Sequence, residues 1–140
     1  MNLRLLVKIT AIIALFAIFT NSAAATNVTI EKVDVRYESS NISVEFYYQL
    51  DTLQQIKGFF FGANYIEDDL LSLFNDSVNL KVDKVDLNNA EMRMDVIKLN
   101  DTTYFPGVML TEPVENVTLY FPGNSTVNLN ETSRIPQAFY

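Results

Sequence analysis

The 140-residue chain contains no cysteine, no histidine and no tryptophan. Without histidine there is no Ser-His-Asp triad, no imidazole general base and no ordinary zinc site. Without cysteine there is no thiol nucleophile, no iron–sulfur cluster and no disulfide staple. The Gly-x-Gly-x-x-Gly and Gly-Lys-Ser/Thr runs that cradle nucleotide phosphates are also missing. No cofactor and no resident metal are expected. Positive charge is scarce as well, with ten Lys and Arg against 17 Asp and Glu, a net charge of −7. Phosphate backbones and anionic membrane surfaces are bound through Lys and Arg, so neither is an expected partner.

Among the residues that are present, the first 25 stand apart. They carry Arg4 and Lys8, no acid, and the apolar run Ile9–Phe19. Small residues follow, with Ala23 and Ala25 in the small-x-small arrangement. A basic start, a short greasy segment and a small-residue exit describe a cleaved secretory leader. The alternative is a membrane tether through residues 5–25, although a spanning helix needs roughly 20 apolar residues. Cleavage leaves a single domain, residues 26–140, with eight basic residues and 17 acids, a net charge of −9. That length is enough to bury a core, and without disulfides the core must hold the fold alone. An exported protein free of cysteine fits a prokaryotic envelope, with a lean towards archaea.

Periodicity suggests an α+β fold. Ile42, Val44, Phe46, Tyr48 and Leu50 alternate with polar or half-polar neighbours, which is the signature of a half-buried strand. Residues 28–37 alternate in two phases, so a bulge near Glu31–Lys32 is expected, and "ESSN" should turn them into a hairpin with 42–50. From Asp51 the period changes. Leu53, Ile56, Phe60, Ala63, Ile66, Leu70, Leu73 and Phe74 recur at helical steps. Asp51 with Gln54, and Asn64 with Glu67, resemble helix starts. Gly58 and Gly62 predict one bent helix or two short ones. After Asp76 the alternation returns up to Leu129. The expected order is β-β-α-β-β-β-β, a mostly antiparallel sheet with its helix on one face. "YFPG" occurs at 104–107 and 120–123 and reads as a repeated strand-ending turn.

Asn-x-Ser/Thr occurs seven times, at Asn27, Asn41, Asn75, Asn100, Asn116, Asn124 and Asn130. With 14 Asn and 19 hydroxyl residues in the chain, about two would arise by chance for this motif. At 27, 41 and 116 the middle residue is apolar, and any half-buried strand would produce that pattern. At 75, 100, 124 and 130 it is polar, and the triplets fall at turns or strand ends. With the leader, the excess points to N-glycosylation.

Carboxylates, lysines, tyrosines and hydroxyls carry whatever chemistry remains. Glu67, Asp68 and Asp69 form the densest acidic run and suit the first turn of a helix better than a Ca²⁺ site. Of the tyrosines, Tyr47 and Tyr120 are the best candidates for an interaction surface, because alternation points both away from the core; Tyr65, Tyr104 and Tyr140 are weaker candidates. Phe59, Phe60 and Phe61 exceed one helix stripe and read as core plus a rim contact. The preferred reading is an exported, N-glycosylated, non-enzymatic surface module whose partner is a protein or cell-surface component. The first alternative is a small binding protein that holds an apolar ligand between helix and sheet, near Phe46, Phe60 and Leu70. The second is a carboxylate-based hydrolase.

Overall fold

The computed structural model describes residues 28–74 and 79–140. Residues 1–25, where the leader is expected, and Asn27 and Asn75 lie outside the described residues. The chain runs β1 (Val28–Tyr37), β2 (Asn41–Leu50), α1 (Thr52–Phe61), a 3₁₀ turn (Asn64–Ile66) and α2 (Glu67–Leu71). Then follow β3 (Leu80–Val85), β4 (Asn89–Asp95), β5 (Ile97–Leu99), β6 (Thr102–Phe105), β7 (Val108–Phe121), β8 (Ser125–Ile135) and β9 (Ala138–Phe139). Six strands form one sheet in the order β3-β4-β2-β1-β7-β8; β5, β6 and β9 form a second, small sheet. Every pairing is antiparallel except β1 with β7. The fold is therefore α+β and mainly antiparallel, with two short helices.

The alternation of β2 does what its period requires. Ile42, Val44, Phe46, Tyr48 and Leu50 are all buried, facing Val33, Val35 and Tyr37 of β1 and Ala90, Met92 and Met94 of β4. The β1 register shifts between Ile30 and Lys32, and this bulge brings its two apolar phases onto one face. A similar shift between Val82 and Lys84 reconciles the phases of β3. β7 breaks register between Met109 and Val114, where Pro113 has no N–H to donate to a ladder.

The two "YFPG" runs do end strands. Gly107 and Gly123 both have positive φ, 79° and 84°. The second run is a turn, at 122–124, whereas the first is an irregular link that carries the chain from β6 to β7 in the other sheet. Their phenylalanines converge on one residue: Phe121 stacks on Tyr37 at 4.5 Å, and Phe105 meets it edge-on at 6.0 Å. Tyr140 closes the same cluster, edge-on to Tyr37 at 5.5 Å.

The helical segment departs from expectation. Asp51 caps α1 by accepting the Gln54 N–H at 2.8 Å. Gln54 does not complete the box; its side chain is buried and its Oε1 has no partner. α1 turns Gln54 and Gly58 inward and leaves Leu53, Ile56, Phe59, Phe60 and Phe61 exposed. The cause is steric: at Gly58 the helix backbone comes so close to Leu87 that a Cβ would stand 2.2 Å from Leu87 Cδ2. The Tyr65 hydroxyl holds the same face by donating to the Gln54 carbonyl. Only the later part of the stripe joins the core. Ile66, Leu70 and Phe74 are buried, and Phe74 meets Phe46 edge-on at 5.5 Å. The acids Glu67, Asp68 and Asp69 occupy the first turn of α2, as its dipole favours.

The small sheet was not foreseen from the sequence. β5 has three residues and β9 has two, too few for alternation to register.

Candidate functional site: the open face of the sheet

One face of the six-stranded sheet holds the core; the other carries its polar phase. On that open face β1 presents Lys32, Asp34 and Arg36 in a row. β2 flanks the row with Ser43, Glu45 and Tyr47, opposite Arg36, Asp34 and Lys32 respectively. β7 flanks it on the other side with Thr118 opposite Asp34 and Tyr120 opposite Arg36. Tyr47 and Tyr120, which alternation directs away from the core, therefore stand on opposite sides of one strand. Each is covered by a cation of that strand. Lys32 Nζ lies 5.3 Å from the Tyr47 ring centre, and the Arg36 guanidinium 5.3 Å from that of Tyr120.

Two ion pairs cross this lattice. Lys32 reaches Asp34 at 2.9 Å, and Arg36 reaches Glu45 at a looser 3.9 Å. The Asp34 hydrogen bond holds the Lys32 ammonium above the usual lysine range. Burial, then the nearby Glu45, raises the Tyr47 phenol. Asp34 is only 4% exposed although it lies on the solvent side, because its long neighbours cover it. One of its carboxylate oxygens, Oδ1, has no partner. Further out, Arg93 on β4 forms a two-pronged pair with Asp83 on β3.

Three glycosylation candidates share this face. Asn41 begins β2, and Asn116 on β7 lies directly opposite Asn130 on β8. Asn116 and Asn130 are exposed. Asn41 is half-buried, with a buried Oδ1 that finds no partner. Asn100 and Asn124 are exposed at turns, where both adopt positive φ, 57° and 64°. Short polar side chains tolerate that conformation by bonding locally.

Other sequence candidates are not brought together here. Tyr65 contacts α1. Tyr104 stacks on Phe139 at 4.5 Å, and Tyr140 donates to the Glu38 carbonyl at 2.9 Å. The apolar pocket expected near Phe46, Phe60 and Leu70 does not assemble: Phe46 and Leu70 are buried, whereas Phe60 is on the outside of α1. A groove of about 630 Å³ does open beside Phe46. It lies between β1 and the irregular part of β7, away from α1, and Glu31, Glu112 and Glu115 are in its wall. No run of sequence signals this groove, because splayed strands 80 residues apart create it. Among the described residues no cluster of three or more acids is arranged to hold a metal ion.

Comparison with known proteins gives the chain no relative: no family model, no curated protein and no solved structure matches it.

Proposed function

We propose that this chain is an exported, N-glycosylated, non-enzymatic surface module that meets a protein or cell-surface partner across the open face of its sheet. The observation that carries the reading is the content of that face. It combines a tyrosine-flanked ion lattice with exposed acceptor asparagines, and no layer of the described residues covers it. Aromatic and cationic side chains in a fixed array suit recognition of a polar partner. Asn100 and Asn124 are exposed at turns, which supports their use as sugar acceptors. On this face Asp34 stands opposite Glu45 and Glu45 opposite Glu91. They lie on an open sheet surface, with Asp34 and Glu45 paired to Lys32 and Arg36, so a carboxylate-based hydrolase would have to use the groove glutamates Glu31, Glu112 and Glu115 instead.

The deciding measurement is the intact mass of the natively exported protein, followed by mapping of the modified asparagines. A chain beginning near Thr26 and carrying glycan on Asn100 or Asn124 is expected. Asn116 and Asn130 are direct cross-strand neighbours, so one glycan rather than two is expected on that pair. An unmodified, full-length mass overturns both export processing and glycosylation.

The groove beside Phe46 favours a second reading, that of a small-ligand carrier. Its three glutamates would select an amphiphile with a cationic end. Native mass spectrometry of the exported protein tests this; a chain free of co-purified small molecules, with no thermal shift on adding long-chain alkylammonium, excludes it.

A further inference from the structure

The parallel pairing of β1 with β7 is short, residues 33–36 against 117–120. Upstream of it the two strands part. β1 stays on β2 from Val28 onward. β7 is drawn away: Leu110 bridges to Phe74, the Thr111 N–H donates to the Leu73 carbonyl at 2.8 Å, and the ladder with β8 breaks between Met109 and Val114. The groove of about 630 Å³ is the wedge between them. Among the described residues, no strand lies beside residues 28–32 on the edge of β1 that faces this wedge. A bare row of N–H and C=O groups inside a sheet is a template for another strand. Asn116 does reach across, donating through Nδ2 to the Glu31 carbonyl, but at 3.4 Å that bond is long and weak.

We infer that this wedge is a strand-accepting slot, filled by an extended segment of a protein partner in which apolar and basic residues alternate. Three observations select that occupant. The first is the bare main chain of β1, which an added strand satisfies by backbone hydrogen bonds. A long-chain ammonium would meet the glutamates and the apolar floor but leave that main chain unpaired. The second is size. From the usual rise, strand spacing and sheet separation, a strand residue takes up about 160 Å³, so the wedge takes about four residues. The third is what lines it. Phe46, Leu73 and Leu110 lie along the floor, and Val28 and Ile30, of the core phase of β1, are only half-buried beside it. Glu31, Glu112 and Glu115 are exposed at the rim, and no ion pair within the described residues engages them. The nearest cation along β1, Lys32, is turned to Asp34 at 2.9 Å. Side chains of an added strand alternate between its two faces. One phase therefore covers the apolar floor, and the other reaches the glutamates and must be basic. A chain of net charge −7 also repels acidic segments.

The slot rests on the reading of a protein partner, but peptide binding is read separately from processing and glycan mass, so either can fail alone. The probe is a blocked hexapeptide alternating lysine and valine, titrated into the isotope-labelled protein and followed by amide chemical shifts. Asn116 lines the slot, so a sugar on it would stand at the mouth, and the Asn116→Gln protein is titrated alongside. Saturable binding to the Asn116→Gln form is expected, with shifts at residues 28–32 and 112–116. Glu112→Gln and Glu115→Gln should each weaken binding by about two- to fivefold, as the loss of an exposed ion pair does, with far-UV circular dichroism unchanged. The same hexapeptide with methylated backbone nitrogens keeps its charges and side chains but cannot donate to β1, and should not bind. Absence of saturable binding overturns the proposal. So does equal binding of the methylated peptide, which would leave only charge and apolar contact, as a small-ligand carrier requires. Shifts confined to residues 43–47 and 118–120 would put the peptide on the open face and overturn the slot while keeping a protein partner.

Discussion

Phe46 and Phe60 fall fourteen residues apart, each on an apolar stripe of the sequence; truncating each to Ala separates them. Phe46 is fully buried, against Phe74 and the core face of β1. Burying a phenylalanine side chain is worth about 1.5–3 kcal/mol by area, and the void left behind adds a comparable amount where the walls cannot close. The groove beside Phe46 lets water and neighbours relax into part of that void. We therefore expect Phe46→Ala to cost about 3–4 kcal/mol, near the low end for Phe→Ala in a core. At about 4 °C per kcal/mol for a domain of this size, the melting temperature falls by roughly 12–16 °C. Phe60 is exposed, and its ring touches chiefly Phe59. Phe60→Ala loses little packing and gains a few tenths of a kcal/mol in helix propensity, so the net change stays within about 0.5 kcal/mol. Urea unfolding of the protein followed by far-UV circular dichroism, with the slope held common, measures both. A loss above about 2 kcal/mol for Phe60→Ala would mean that its ring is packed. α1 would then have to turn its apolar stripe inward.

Gly107 has positive φ, and a Cβ there would stand 2.8 Å from the Gln137 nitrogen and 2.9 Å from the Ile135 oxygen. Gly107→Ala should cost about 2–3 kcal/mol in thermal melts, and more than Gly123→Ala, where nothing lies within 4 Å. The Tyr48 phenol, which donates to the carbonyls of Asp86 and Asn89, is pushed up to about 12, first by burial and then by Asp86 and Tyr65. A raised folded value means that its contribution is intact below the unfolded value of 10 and disappears as pH climbs from 10 to about 12. Urea midpoints should fall across that window, and Tyr48→Phe should flatten the fall; burial of Tyr37 acts in the same direction. Lys32→Met leaves the covered Asp34 carboxylate without its ion pair, and chemical denaturation should register a loss of about 1–3 kcal/mol.

Much of the sheet was legible in the sequence because its cause is local. A strand shows alternate side chains to opposite faces, so the five-residue apolar phase of β2 announces both the strand and its buried side. The same rule exposes the β1 bulge as a phase slip and points Tyr47 and Tyr120 outward. Pro-Gly in both "YFPG" runs states the end of a strand and a positive φ at the glycine, because φ is set by those two residues alone. The capping by Asp51 is local too.

What only the tertiary structure decided involves partners far away in the chain. The parallel seat of β7 against β1 joins residues more than 80 positions apart, and that pairing, not any motif, sets Tyr47 and Tyr120 on either side of one row of ions. The gathering of Phe105, Phe121 and Tyr140 around Tyr37 has the same origin. For α1, periodicity defined an apolar stripe but could not say whether it faced in or out. The close approach at Gly58 and the Tyr65 hydrogen bond decided that it faced out. Local pattern tells a side chain which neighbours it shares a face with; what lies across from that face depends on which distant segment packs there first and leaves the least space empty.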